Sequence, residues 1–188
     1  MKKLTMTFCA MAGMTTLVLA AGEDKKMEAP KPPQEIADMM KAMTGSWKCE
    51  GTFSGMTGGA AMKYTSTMKP KTELNGFWVH EAVTITPSDK KAMPGNFMIE
   101  AYMTYDSAAK MWRRVEMMSD GGLMVGTSSG MKDMKMEMTG TNWSSHGESM
   151  MKTSIDNSDA KKGIHIVGQM SMDKGKTWTA LFDETCKK

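Results

Sequence analysis

Methionine, arginine and cysteine are the residues of this chain whose numbers or spacing could support chemistry. Of 26 methionines, Met131, Met134, Met136 and Met138 form the densest cluster, and thioethers select soft ions such as Cu(I). A methionine-based Cu(I)-binding protein is therefore one reading. The competing reading is packing, because leucine is scarce and the flexible thioether fills irregular gaps and touches aromatic rings well. On a strand, Met134, Met136 and Met138 would occupy successive inward positions about 7 Å apart, too far to share one ion without help from a neighbouring strand. Reversible oxidation of exposed methionines would need outward positions, and most of these are expected inward.

Arg113 and Arg114 are the only two arginines. Adjacent strand residues face opposite ways, so one of the pair points inward, and Arg113 shares its face with Met111, Val115 and Met117. There its planar guanidinium suits a ligand carboxylate, or else it stacks on Trp47 or pairs with Glu81 or Glu184 to close one end of a barrel. His80, His146 and His165 show no metal-ligand spacing, so no metal is expected. The chain has no Gly-x-Ser-x-Gly elbow, His-Glu-x-x-His, phosphate loop or Cys-x-x-Cys. Neither enzymatic activity nor a cofactor is expected.

The elements that must position these groups begin behind an export signal. Residues 1–21 carry Lys2 and Lys3, an uncharged run from Leu4 to Leu19, and small Ala20 and Ala21, which predicts a cleaved signal peptide and a periplasmic or secreted protein. Residues 22–33 are charged and Pro-rich, as in a flexible spacer. Residues 34–188 are long enough for one domain with its own core. The formal charge of +3 falls to +1 once Lys2 and Lys3 are removed, which makes nucleic acid a poor partner. With the leader gone, no membrane span is expected.

Ile36, Met39, Met40 and Met43 recur at i, i+3, i+4 and i+7, the stripe of a short helix that Pro33 starts and Gly45 stops. From Trp47 onward the apolar period becomes two. The alternation predicts about ten strands: residues 47–53, 62–69, 77–86, 97–105, 111–118, 123–128, 133–139, 149–155, 164–172 and 178–184. Asn75-Gly76 reads as a two-residue hairpin turn. Met172 and Trp178 are expected to share the inward face with Met170 and Phe182.

So many short strands have two open edges unless the sheet closes, so an all-β, antiparallel up-and-down barrel is the economical arrangement. With an even strand number the start of the first strand lies beside the end of the last. That places Cys49 against Cys186, both inward, in a compartment that favours disulfides.

Gly45-Ser46-Trp47 behind a helix is similar to the G-x-W opening of lipocalin-type barrels. Together with Glu73-Leu74-Asn75-Gly76-Phe77-Trp78, the Tyr105-Asp106 pair and the Asp120-Gly121-Gly122 turn, the chain resembles the DUF1579 family, secreted bacterial domains of unknown function. That resemblance, over roughly Ile36 to Phe182, implies a lipocalin-like barrel and no agreed activity. Ten-stranded haem-binding barrels use a histidine near the C-terminal strands, and residues 178–188 contain none. His165, opposite the Ile164 and Ile166 face, is expected to point to solvent.

The expected function is an exported barrel that binds a small apolar or amphiphilic ligand in an interior lined by Trp47, Tyr64, Phe97, Met103, Arg113, Met136 and Trp178. The alternatives are the Cu(I)-binding protein and a structural or interaction protein without a small ligand.

Overall fold

Alternation of apolar and polar residues gives each strand one face that must leave water, and a sheet with one such face is stable only when that face is covered. The computed structural model, which describes residues 29–55, 61–91, 94–159 and 161–188, covers it by closing the sheet on itself. The expected signal peptide and the first part of the spacer, residues 22–28, lie outside the described residues. Lys31–Lys188 form one compact unit.

Helix α1 spans Gln34–Met43, and the strands are β1 (Trp47–Phe53), β2 (Met62–Glu73), β3 (Trp78–Pro87), β4 (Phe97–Asp106), β5 (Met111–Met118), β6 (Leu123–Ser128), β7 (Met131–Lys132), β8 (Lys135–Ser144), β9 (Gly147–Asp156), β10 (Ile164–Ser171) and β11 (Thr179–Lys187). Every pairing is antiparallel between sequence neighbours, except that β1 also pairs with β11 and β6 pairs with β8. Those two pairings close a ten-stranded, lipocalin-like up-and-down barrel, and β7 is a short arm folded onto β8. At the β6–β8 seam Gly126 faces Gly140. A Cβ on Gly140 would lie 2.4 Å from the Val125 carbonyl oxygen, so glycine is required for the two backbones to approach there.

Cys49 stands directly opposite Cys186, and the two are joined as a disulfide with Cα atoms 3.9 Å apart. The bond ties the first strand to the last across 137 residues of sequence. Helix α1 keeps the expected stripe: Ile36 is 1% exposed, packs with Val79, Met103 and Trp112, and Met43 packs with Trp47 and Met68. These partners lie at the starts of β1, β3 and β5 and near the ends of β2 and β4, so α1 covers that end of the barrel. Six methionines (Met103, Met124, Met136, Met138, Met151 and Met170) dominate the larger core cluster, as the packing reading of methionine expects.

Four local expectations are corrected. Asn75-Gly76 is not a two-residue turn: the chain makes a single 3-10 turn over Leu74–Gly76, with Leu74 and Asn75 at φ 49° and 59°, because β2 runs on to Glu73 before reversing. Met134 is not on an inward face. It sits at the tip of the β7–β8 turn with Asp133, both at positive φ, and it is exposed together with Met131. Met172 is also exposed, because β10 ends at Ser171. Trp178 precedes β11 and lies outside the barrel, since a β-bulge between Gly168 and Gln169 changes the register so that Gly168 faces Phe182 and Gln169 faces Ala180. The bulge reverses the parity of β11 ahead of Phe182.

Candidate functional site

The interior differs along its length. At the helix end the inward side chains Trp47, Met68, Val79, Met103 and Trp112 are all buried. At the far end, Phe53, Met62, Ile85, Phe97 and Ile99 point inward by register, yet they are only half-buried and belong to neither core cluster. Strands β1 to β4 thus present an apolar wall at that mouth which the protein's own side chains leave partly uncovered.

Polar groups occupy the floor. Arg114 faces inward between two carboxylates, with its Nη1 donating to Glu81 Oε2 at 2.6 Å and its Nε donating to Glu116 Oε1 at 2.6 Å. Burial works against the guanidinium's charge, but the neighbouring Glu81 and Glu116 outweigh it and hold its pKa above the ordinary value. The Glu81 side chain is 4% exposed, whereas Arg114 and Glu116 each retain 16%. Arg114 and Glu116 therefore keep partial contact with solvent.

A second polar group lies beside the disulfide. Tyr64 Oη and Ser66 Oγ donate to Glu184 Oε2 at 3.2 and 3.1 Å. Burial raises the Glu184 pKa, and these hydrogen bonds only partly oppose the rise. Burial, followed by the adjacent Glu184 charge, likewise pushes the Tyr64 hydroxyl well above its ordinary pKa. Cys49, Cys186 and Glu184 lie within 4.8 Å of one another, with both sulfurs held in the disulfide.

The residues expected to line a ligand site are not all brought together. Trp47 is part of the plug at the helix end, where its Nε1 donates to Met43 O at 2.8 Å and the Lys188 ammonium sits 4.8 Å from its ring centre. Met103 and Met136 are buried in the main core. Phe97 lies at the half-covered mouth, and Tyr64 is buried with its hydroxyl on Glu184. Arg113 does not face inward: it is half-exposed and paired with Asp106 at 2.9 Å on the outer surface. The inward face of β5 is Trp112, Arg114, Glu116 and Met118, opposite Ser128, Gly126, Met124 and, across β4, Ile99. The parity was misread because Met111, Val115 and Met117 form the more apolar-looking set, while the charges on the true inner face neutralise each other. Trp178 packs outside, its Nε1 donating to Gly175 O at 3.1 Å with the Lys152 ammonium 4.5 Å from its ring centre.

Of the methionine cluster, Met136 and Met138 are buried and Met131 and Met134 are exposed, so the four are divided between core and surface. His165 points outward to Asp183 at 2.9 Å, as expected. His80 stacks on Tyr102 on the outer face, between Glu73 and Glu100. Arg114, Glu116 and Asn142 were missed as interior groups, and Glu81, expected as a partner for Arg113, pairs with Arg114 instead. A charged residue within an alternating inward set, as at Glu81 between Val79 and Val83, was the available signal.

Open depressions mark the surface among the described residues. One lies by Glu50, Lys63, Tyr64 and Thr86, and another lies by Lys132, Lys135, Met136 and Asp156. Among the described residues no helix is long and apolar enough to cross a membrane. No protein-family model and no curated protein matches the chain. Among solved structures the chain is similar to the crystal structure of Rv2717c from M. tuberculosis, at 13% identity and a TM-score of 0.59, covering 85% of this chain and 99% of that one; at that identity the likeness carries the barrel fold alone.

Proposed function

We propose that this protein is an exported barrel that takes up a small apolar or amphiphilic molecule through the end opposite α1. The observation that carries this reading is the contrast between the two ends. Trp47, Met68, Val79, Met103 and Trp112 under the helix are buried, whereas on β1 to β4 Phe53, Met62, Ile85, Phe97 and Ile99 remain half-covered, with Glu81, Arg114 and Glu116 on the same inner face. Apolar concavities with a few convergent polar groups are the usual form of small-molecule sites, and closed barrels of this kind hold ligands at their mouths. The Cys49–Cys186 disulfide fits an oxidising compartment, which supports the reading of residues 1–21 as an export signal.

Native mass spectrometry of the protein purified from its own host tests the proposal. A bound small-molecule adduct is expected. An unliganded mass, combined with no saturable uptake of decanol by the purified protein, would eliminate it.

A further inference from the structure

Across the inner surface of the barrel, register places Glu81 opposite Ala101, Ala101 opposite Glu116, Glu116 opposite Met124, Met124 opposite Asn142 and Asn142 opposite Ser149. This row contains two carboxylates and a primary amide, and among the described residues the sole cation paired with it is Arg114, which already serves both carboxylates. One guanidinium against two carboxylates leaves the row with an excess of negative charge.

The amide supplies an independent observation. Asn142 is 7% exposed, its Nδ2 donates to Ser149 Oγ at 3.3 Å, and its Oδ1 is buried without a hydrogen-bond partner. A buried carbonyl oxygen left unpaired costs free energy on the order of 1 to 3 kcal/mol, so such a group in a native interior calls for a partner. Asn142 and Glu116 stand two strand spacings apart, about 10 Å along the sheet, and both side chains project inward from a closed wall, so their polar ends converge toward each other.

Building on the proposed ligand-binding barrel, we infer that the interior site selects a primary alkylammonium amphiphile, with the ammonium donating to Asn142 Oδ1 and facing Glu116, and the alkyl chain lying along Ile85, Phe97 and Ile99. An ammonium has three donors and a positive charge, which match an unpaired acceptor beside a net-negative pair of carboxylates. A carboxylate headgroup would instead meet like charge and an amide oxygen, both unfavourable.

Isothermal titration of the full protein with decylammonium, decanol and decanoate tests this inference. Decylammonium is expected to bind saturably and about tenfold or more tightly than decanol, the margin of one charge-assisted hydrogen bond, with decanoate weakest. Asn142→Leu and Glu116→Gln should each reduce the decylammonium preference about tenfold while leaving decanol binding in place. Circular dichroism confirms that each variant is folded. Glu81→Gln, which removes the excess negative charge without touching Asn142, should likewise reduce the preference about tenfold and serves as a third variant if either of the others misfolds.

Equal affinity for all three probes overturns the inference and leaves the ligand-binding barrel standing. Failure of every probe to bind overturns the inference and, together with an unliganded native mass, the ligand-binding reading as well. A crystal soaked in decylammonium that shows only a water on Asn142 Oδ1 also overturns the inference.

Discussion

Arg114 is the clearest case in which one side chain's meaning depends on its surroundings. Removing it leaves Glu81 almost fully buried with an uncompensated charge, so Arg114→Met should lower unfolding stability by about 3 to 5 kcal/mol. The triple variant Glu81→Gln, Arg114→Met, Glu116→Gln should recover much of that loss, because it removes the charges together. Urea midpoints of the two proteins check this, and a triple variant no more stable than Arg114→Met would contradict it. Glu184 makes the opposite case. Its folded-state pKa lies above the ordinary 4.5, so the folded chain keeps this proton to higher pH than the unfolded chain does. Its contribution is fully present below the ordinary value and declines as pH rises through the raised one. Glu184→Gln can still accept from Tyr64 and Ser66, and it is expected to lack that decline. Denaturation across the acid-to-neutral range should therefore show the variant gaining on the wild type as pH rises.

At the scale of elements, the β10–β11 connection is held by one carboxylate. Asp173 accepts from Thr177 N at 2.8 Å, Thr177 Oγ1 at 2.7 Å and Ser171 Oγ at 2.7 Å, while Ser171 Oγ in turn accepts from Gly175 N. The backbone N–H of Thr177, followed by the Ser171 and Thr177 hydroxyls, holds the Asp173 carboxyl down to about 2. A depressed carboxyl stabilises the fold above its ordinary pKa and loses that effect as pH falls toward the lowered value. Asp173→Ala should therefore lower Tm at neutral pH, with the gap to wild type closing in strong acid. A constant gap across pH would show that the carboxylate charge is not what organises the turn. The Asp173 to Lys176 turn was legible in the sequence from its Gly and Asp. The neighbouring bulge was not, because an extra residue in one strand leaves no mark on an alternating pattern until its partner strand is known. That single residue moves Trp178 from the expected interior to the outside.

For the whole molecule, the Cys49–Cys186 bond links the two strands that complete the barrel at its N- and C-terminal ends. By the chain-entropy account, a loop of this length is stabilised by an upper figure of about 4 to 5 kcal/mol. The double variant Cys49→Ala, Cys186→Ala should lose a substantial part of that in urea unfolding, and the wild type in a dithiol reductant should approach it. A variant as stable as the oxidised protein would mean the β1–β11 ladder alone sets closure. The sequence by itself determined the helix, the ten barrel strands, their order and the cysteine pairing, because hydrophobic period and short antiparallel connections are local properties of the chain. Only the tertiary structure decided which arginine faces inward, where methionine turns from core to surface, and which polar groups meet on the inner wall. Those outcomes depend on strand parity, and parity is set by cross-strand partners that one strand's residues do not specify.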